Sequence, residues 1–322
     1  MHIVVLDDFE NSLSILKSNP VITAKASLDI HQDRLVGGAL VTALKPADVI
    51  VMSRDRTPLR KDLLDQLPQL KYVVFTGSRN LLVDYDVLEQ RQIPISYTEF
   101  GPSKETTVEL TWALILAAYK RVHEQSQLIE QGVWRNQYSV LPALIGERLG
   151  VLGLGNIGAK VAKVGLAFGM DVVTWSPHMT SERAAEHGVQ SVSKEELLST
   201  SRIVSLHLVP GQTTRGIMNA QTLSLMRSDA LLVNTSRSTL IQTADLVEAL
   251  KIGKPAMAAI DVFDDEPLPK DDPFRQISNI LMTPHLGFVS EPVYKRLTAG
   301  VVKALEAWVK EEPLVNLVKI SS

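Results

Sequence analysis

Three polar side chains, each in a loop that follows a short apolar run, could together bind and protonate a small anion. Arg237 follows "ALLVN", Glu266 follows "AAIDVF", and His285 follows "NILMTP". An arginine can bind a carboxylate through two parallel hydrogen bonds, which a lysine cannot do. A histidine can exchange a proton near neutral pH, and a nearby carboxylate can tune it. Any one of them alone would more often be an ordinary surface residue, so the hypothesis depends on all three.

A glycine-rich segment, "VLGLGNIGAKV", could hold the phosphates of a dinucleotide. Gly153 would allow a tight turn, Gly155 would let the backbone approach a pyrophosphate, and Gly158 would let a helix pack closely on a strand. The segment follows an apolar run and precedes apolar residues at helical spacing, which is the context this motif requires. The positive end of the helix would then face the phosphates. The alternative is a purely structural glycine turn.

The next predicted strand, "MDVVTW", bears on which dinucleotide is bound. A carboxylate at its end would bind the adenosine ribose of NAD, but Ser176 and His178 stand there instead. One interpretation is a turn shaped by Pro177, and the other is a site that tolerates the 2′-phosphate of NADP. We expect either NAD or NADP to be used.

A bound dinucleotide and the three polar side chains would suit hydride transfer to or from a small anionic alcohol or carbonyl compound. Such an enzyme needs a cation to hold the substrate, an acid or base for its oxygen, and a group that tunes the acid. All three residues follow predicted strands, and α/β sheets bind ligands at the edge where their strands end.

The elements that must position these residues alternate along the chain. Short strand-like runs such as "HIVVL", "KYVVFT", "RIVSLHL" and "MAAIDVF" are separated by helical segments, which predicts an α/β protein with two doubly wound parallel-sheet domains and a cleft between them. One long helix is predicted over 103–131 and another over 290–313. We therefore predict a dinucleotide-binding Rossmann domain over 103–284 and a discontinuous substrate domain over 1–102 plus 285–322.

Composition excludes several function classes. The chain of 322 residues has 45% hydrophobic and 21% charged residues and a net charge of −3, so no strong field would attract nucleic acid or anionic membrane. It has no cysteine, which excludes disulfides and thiolate zinc sites, and we predict no metal ion. No apolar run is long enough to span a bilayer, and the first residues lack the pattern of a signal peptide. We expect a cytoplasmic protein.

The segments "GLGNIG", "VNTSR", "DVFDDEPL" and "TPHLG" occur in an order and spacing that resemble the D-isomer-specific 2-hydroxyacid dehydrogenases over nearly the whole chain. The resemblance implies a flavodoxin-like substrate domain beside the Rossmann domain. It also implies that Arg237 orients the substrate, that His285 is the acid or base, and that Glu266 is its partner. The predicted cofactor residues are Gly153, Gly155, Asn156, Ile157, Gly158, Ser176, His178, His207, Val209, Pro210, Thr235 and Asp261.

Two loops of the first domain are candidates for the rest of the substrate. The segment "SRDRTPL" supplies Arg54 and Arg56, and "FTGSRNLLVD" supplies Ser78, Arg79 and Asn80. Arg54, Ser78, Arg79 and Asn80 are predicted to bind substrate together with Arg237. The arginines of the first loop could equally be surface charge or ion-paired with Asp55.

Other functions and assembly states remain open from the sequence. The alternative function is a dinucleotide-sensing, corepressor-like binding protein on the same fold, and a third is the formate or phosphite branch of this fold. Glu266 argues against formate, since an amide would be expected there. The stretch "VELTWALILAAY" is apolar nearly all round, which predicts a homodimer through the 103–131 region.

Overall fold

The computed structural model describes residues 1–54, 56–78 and 80–319, in two compact units. The first unit comprises Met1–Pro102 and Ser290–Ser322, and the second comprises Ser103–Val289. Each unit is built on one parallel sheet covered by helices.

The second crossing of the chain lies five residues later than predicted. Residues 285–289 belong to the second unit because the loop that contains them is hydrogen-bonded there. The backbone N–H groups of Leu286 and Gly287 donate to the carboxylate of Asp261. The division of substrate and cofactor binding between the two units stays a prediction.

The first unit contains a five-stranded parallel sheet. Its strands are β1 (His2–Leu6), β2 (Ser27–Ile30), β3 (Val49–Met52), β4 (Tyr72–Phe75) and β5 (Ile95–Tyr97). Its helices are α1 (Pro20–Thr23), α2 (Gly37–Leu44), α3 (Lys61–Leu64), α4 (Tyr85–Gln90) and α12 (Glu291–Lys310). The strand order β2-β1-β3-β4-β5 is the flavodoxin-like order.

The sheet of the first unit is buried on both faces because strands β1, β3 and β4 are apolar at nearly every position, so that successive side chains supply both faces. One face contributes Val4, Leu6, Ile50, Met52, Val73 and Phe75 to a core. The other contributes Ile3, Val5, Val49, Val51, Tyr72 and Val74, which pack with Val301, Ala304 and Leu305 of α12. The C-terminal helix therefore completes the core of the unit with which the chain begins.

The second unit contains a seven-stranded parallel sheet. Its strands are β6 (Arg148–Leu152), β7 (Asp171–Trp175), β8 (Gln190–Ser191), β9 (Ile203–Leu206), β10 (Leu231–Asn234), β11 (Met257–Ile260) and β12 (Ile280–Met282). Its helices are α5 (Ser103–Tyr119), α6 (Val122–Glu130), α7 (Asn156–Ala167), α8 (Ser181–Ala185), α9 (Lys194–Thr200), α10 (Ala220–Leu225) and α11 (Thr243–Lys251). The order β12-β11-β10-β9-β6-β7-β8 has its switch between β6 and β9, as in a dinucleotide-binding fold. The predicted pair of parallel α/β sheets is confirmed.

The prediction of one helix over 103–131 is wrong. The segment forms two helices, because Arg121 adopts a left-handed conformation (φ 47°) between α5 and α6. The all-round apolar character of α5 reflects burial within its own unit, where it packs against α7, β10 and β11. Trp112 and Ile115 of α5 are buried there, whereas α6 has no buried residue. Among the described residues no helix has both the length and the apolar character needed to cross a membrane.

Candidate active site

The glycine-rich turn joins β6 to α7 and has the geometry that its glycines predict. Gly153 has φ 99°, and a Cβ atom there would lie 2.8 Å from the carbonyl carbon and oxygen of His207. A Cβ atom on Gly158 would lie 1.9 Å from the carbonyl oxygen of Gly153. Both positions therefore require glycine, the first for its backbone conformation and both for space.

Gly155 differs from its two neighbours because a Cβ atom there would meet nothing within 4 Å. It is the N-cap of α7 and has no side chain to satisfy the N–H groups of the first turn, to which Asn156 and Ile157 belong. An open surface at the start of a twelve-residue helix suits a pyrophosphate. The residues present therefore fit a dinucleotide.

The loop after β7 holds a cation that the sequence did not reveal. Ser176 is partly buried and His178 is exposed. Arg183 of α8 donates from Nη1 to the carbonyl oxygen of His178 over 2.8 Å. Thr180 caps α8 by accepting a hydrogen bond from the backbone N–H of Arg183, and this turn brings the arginine back to the loop. Arg183 stands seven positions after Ser176, and only the turn at the start of α8 brings it back to the loop.

The predicted cofactor residues after β9 and β10 differ in exposure. Val209 is 82% exposed and Pro210 is exposed, whereas Thr235 is buried and hydrogen-bonded to Thr111 over 2.7 Å. Burial lowers the pKa of His207 to about 4, so its ring is uncharged at neutral pH. Its Nε2 lies 2.8 Å from the hydroxyl of Ser205. This part of the site is therefore nearly neutral.

Arg237 lies in a loop that Asn234, the last residue of β10, holds in place. The side chain of Asn234 is fully buried; its Oδ1 accepts from the N–H of Ser236 over 3.0 Å and its Nδ2 donates to the carbonyl oxygen of Arg237 over 3.0 Å. The side chain of Arg237 is exposed, and its Nη1 donates to the carbonyl oxygen of Ser236. Its charge is close enough to help lower the pKa of Glu266.

His285 and Glu266 form a hydrogen-bonded pair. Nδ1 of His285 lies 2.6 Å from Oε2 of Glu266, whose Oε1 accepts from the N–H of Phe263 over 3.0 Å. Burial raises the pKa of Glu266, but the hydrogen bond and charge of His285 outweigh it and hold that pKa below its usual value. The structure thus brings together the three residues Arg237, Glu266 and His285 that the sequence singled out.

Asp261 lies directly after β11. Its side chain is fully buried, and its two oxygens accept hydrogen bonds from the 283–287 loop. Its contact with the cofactor, which the resemblance implies, stays a prediction.

The candidate substrate residues of the first unit follow β3 and β4. The N–H of Arg54 donates to Thr76, and the guanidinium of Arg54 lies 4.8 Å from the centre of the Phe100 ring. Ser78 is exposed. Asn80 is fully buried, with Oδ1 accepting from the N–H of Leu82 over 2.9 Å, while its Nδ2 has no acceptor among the residues the structure describes.

Arg56, in the loop after β3, has its partners within the first unit. Arg56 forms an ion pair with Glu10, at 2.7 Å and 3.1 Å, and its guanidinium packs on Phe9. Its charge is therefore used inside the first unit. The predicted substrate residue Arg79, and Asp55 as the alternative partner of this arginine, lie outside the described residues.

Known proteins match this chain over most of its length. Residues 112–287 match the family model for the D-isomer specific 2-hydroxyacid dehydrogenase, NAD binding domain. The glyoxylate reductase of Aeropyrum pernix is 35% identical over 264 residues, which are 80% of this chain and 78% of that protein. The D-3-phosphoglycerate dehydrogenase of Methanocaldococcus jannaschii is 32% identical over 87% of this chain, and the chain spans about half of its length (53%).

A solved structure agrees with these relatives. The D-lactate dehydrogenase of Aquifex aeolicus, crystallised with NAD and lactic acid, superposes with a TM-score of 0.76 at 26% identity, covering 97% of this chain and 96% of that one. The glycine turn, the His285–Glu266 pair and Arg237 all lie in the second unit, within or beside the matched residues. This chain is a member of the D-isomer specific 2-hydroxyacid dehydrogenase family, with an NAD-binding domain of that family in its second unit.

Proposed function

We propose that this enzyme interconverts a small 2-oxo acid and the corresponding D-2-hydroxy acid, with NAD or NADP as hydride carrier. The observation that carries the proposal is the hydrogen-bonded pair of His285 and Glu266. Glu266 follows β11 and His285 follows β12 in the sheet of the NAD-binding domain, and the charge of Arg237 acts on Glu266. Relatives named for glyoxylate, hydroxypyruvate and phosphoglycerate reactions support an enzyme over a dinucleotide-sensing binding protein.

The hydrogen bond between His285 and Glu266 determines which ring nitrogen serves the substrate. An ionised carboxylate can only accept, so Nδ1 of His285 carries a hydrogen and Nε2 is left to act. In reduction Nε2–H donates its proton to the substrate oxygen, and in oxidation neutral Nε2 accepts it. When bound, the cofactor supplies or accepts the hydride at the substrate carbon.

Arg237 would bind the substrate carboxylate. Its exposed guanidinium provides paired N–H donors that match a carboxylate, and its positive charge would also polarise the neighbouring carbonyl group. The buried side chain of Asn234 is hydrogen-bonded to the backbone of Ser236 and Arg237, so the end of β10 sets the position of this loop.

The choice of 2-oxo acid would depend on the loops of the first unit. We assign the remainder of the substrate to Arg54, Ser78 and Asn80. Among the residues that the structure describes, Nδ2 of Asn80 donates to no acceptor. The test is reduction of glyoxylate, hydroxypyruvate, pyruvate and phosphohydroxypyruvate with each reduced cofactor. Turnover of at least one is expected, and no turnover of any of them by folded protein would contradict the proposal.

The loop after β7 supports use of NADP as well as NAD. No carboxylate stands at Ser176 to repel a 2′-phosphate, and the guanidinium of Arg183 beside His178 adds a positive charge that could attract one. We expect NADPH to be used at least comparably to NADH.

Two substitutions separate these contributions to cofactor choice. S176D should shift the ratio of kcat/KM toward NADH by charge repulsion, and R183A should weaken NADPH alone by about tenfold, since a lost phosphate contact is worth about 1.4 kcal/mol. R215A, at an exposed arginine elsewhere in the second unit, is the control. A strong NADH preference that neither S176D nor R183A changes would contradict this assignment.

We also propose that the enzyme is a homodimer and works in the cytoplasm. Apolar side chains in the 122–145 segment are exposed in the single chain, which supports association through this surface. The cytoplasm holds the nicotinamide cofactors that the reaction needs. Cell fractionation followed by activity measurement tests the location.

A further inference from the structure

Lys194 lies at the edge of the second sheet where strands β7 and β8 end. The two strands are parallel neighbours, and Thr174 of β7 is paired with Ser191 of β8. The pairing continues one residue further, because the N–H of Val192 donates to the carbonyl oxygen of Thr174 over 3.1 Å. Lys194 follows two residues later as the first residue of α9. The start of α9 is therefore beside the end of β7.

The ammonium group of Lys194 lies over the ring of Trp175, the last residue of β7. Its Nζ is 5.7 Å from the ring centre, and the partly buried ring packs on the core of the second unit. Such a contact stabilises a cation by about 0.5–1 kcal/mol. The carbonyl oxygen of Trp175 accepts a hydrogen bond from the N–H of Gly153 over 2.9 Å, which connects it with the glycine turn. The charge of Lys194 is thus held at the edge where the dinucleotide is expected to bind.

Arg183 brings a second positive charge to the loop that follows β7. It belongs to α8, is exposed, and donates from Nη1 to the carbonyl oxygen of His178 over 2.8 Å. The helices that carry the two cations cover opposite faces of the sheet, since Ala184 of α8 and Leu197 of α9 belong to different cores. Arg183 and Lys194 are therefore placed on the two sides of the end of β7.

The acidic residues near these two cations in sequence do not neutralise them. Glu196 pairs with Arg148 over 3.5 Å. Glu195, which adjoins Lys194, is exposed. Within the part of the chain that the structure describes, neither Arg183 nor Lys194 forms an ion pair with a carboxylate. Both positive charges can therefore act on a bound anion.

We propose that Lys194 is a specificity-determining residue, which binds the 2′-phosphate of NADP together with Arg183. The inference rests on the proposed use of NADP. A phosphate monoester carries a charge of about −1.5 to −2 at pH 7, which two cations balance and one does not. In this fold the adenosine ribose lies at the end of the strand that Ser176 follows, and its 2′-oxygen is where NADP differs from NAD. A cation on each side of that strand end suits this phosphate.

The binding of two adenosine nucleotides tests the proposal without turnover. Adenosine 2′,5′-bisphosphate and 5′-AMP differ only in the 2′-phosphate, so the ratio of their Kd values, measured by calorimetry, gives the contribution of that group. Wild type should prefer the bisphosphate. K194M removes the charge but keeps an apolar stem over Trp175, and it should lower this preference by about tenfold, equivalent to about 1.4 kcal/mol. K194R keeps the charge and should keep the preference.

Two further variants complete the series. K163A is the matched control, because Lys163 is an exposed lysine of α7, the helix that follows the glycine turn, and it should bind both nucleotides as wild type does. The double variant R183A/K194M should lower the preference for the bisphosphate further than R183A does. A double variant with the same preference as R183A would overturn the proposal, since Lys194 would then add nothing to phosphate binding.

The remaining outcomes separate this inference from the proposed function. Equal preferences in wild type, K194M and K194R would overturn the assignment to Lys194. So would a K194M protein whose Kd for 5′-AMP rises as much as its Kd for the bisphosphate, because Lys194 would then act on the adenine or the 5′-phosphate. Wild type that binds 5′-AMP without preferring the bisphosphate would overturn this inference and leave use of NAD intact. Wild type that binds neither nucleotide would count against the dinucleotide site and therefore against the proposed function itself.

Discussion

At the scale of single residues, the proposed chemistry depends on His285 and Arg237, which we expect to contact the substrate. It also depends on Glu266, which we expect to act through His285. We expect H285A and R237A to lower kcat by about 10²–10⁴-fold, because each removes a proton carrier or a charge at the reacting group. Cofactor Kd should change little, since neither residue lies in the glycine turn. Steady-state kinetics and fluorescence titration check this, with the exposed H187A as control. Unchanged turnover in either folded variant would contradict the assignment.

Glu266 is expected to act through His285, and its role has a pH signature. The pKa of Glu266 is below its usual value, so its carboxylate is ionised and bonded to His285 at neutral pH. This bond stabilises the folded protein at pH values above the usual carboxyl pKa. The stabilisation is lost as pH falls through the lowered pKa. E266Q should lower kcat by about tenfold near neutral pH, since its amide keeps a bond but not the charge. The ratio of the wild-type kcat to the E266Q kcat should fall as pH falls through the lowered pKa of Glu266. A ratio that stays constant over the whole pH range in which both proteins remain folded would show that Glu266 does not tune His285.

At the scale of elements, the turn between β6 and α7 contains Gly158, which we expect to be needed for folding, and Gly155, which we expect to be needed for cofactor binding. G158A would place a Cβ atom 1.9 Å from the carbonyl oxygen of Gly153, so we expect a loss of about 1–3 kcal/mol in the free energy of unfolding. G155A meets open space and should leave stability within about 0.5 kcal/mol of wild type.

The same two variants test whether the pyrophosphate lies where the turn predicts. A methyl group at Gly155 would stand where the pyrophosphate is expected to approach the protein backbone, so G155A should raise cofactor Kd by about tenfold or more, equivalent to about 1.4 kcal/mol. Chemical denaturation and cofactor titration give the two quantities. G211A, where a Cβ atom would meet only Thr214 at 3.8 Å, is the control. Normal cofactor binding by G155A would mean that the phosphates lie elsewhere.

At the scale of the whole molecule, the proposed homodimer depends on the segment after α5. Trp134, Val140 and Ile145 are 76%, 90% and 74% exposed in the single chain. The double variant W134S/V140S should shift the mass from dimer to monomer in light scattering at micromolar concentration, because it removes exposed apolar area from the proposed surface. I252S, at a residue that is 79% exposed on α11's C-terminal side, should remain a dimer. A monomeric wild type would contradict the proposal.

The sequence by itself determined the parallel α/β sheets, the glycine turn and the grouping of Arg237, Glu266 and His285. These follow from local patterns, because buried strands are short apolar runs and the residues after them meet at one edge of a parallel sheet. The edge strands β2 and β8 could not be predicted from apolar runs, because alternate residues of β2 are exposed and β8 has only two residues.

Only the tertiary structure decided which distant groups meet. The break between α5 and α6, the pairing of Arg56 with Glu10, and the return of Arg183 to His178 each depend on the path of the chain in three dimensions. Asp261 shows the same limit, since its hydrogen-bond partners in the protein could not be predicted from its sequence context. Its three donors come from residues more than twenty positions later in the chain, and only the packing of β11 beside β12 brings them to its oxygens.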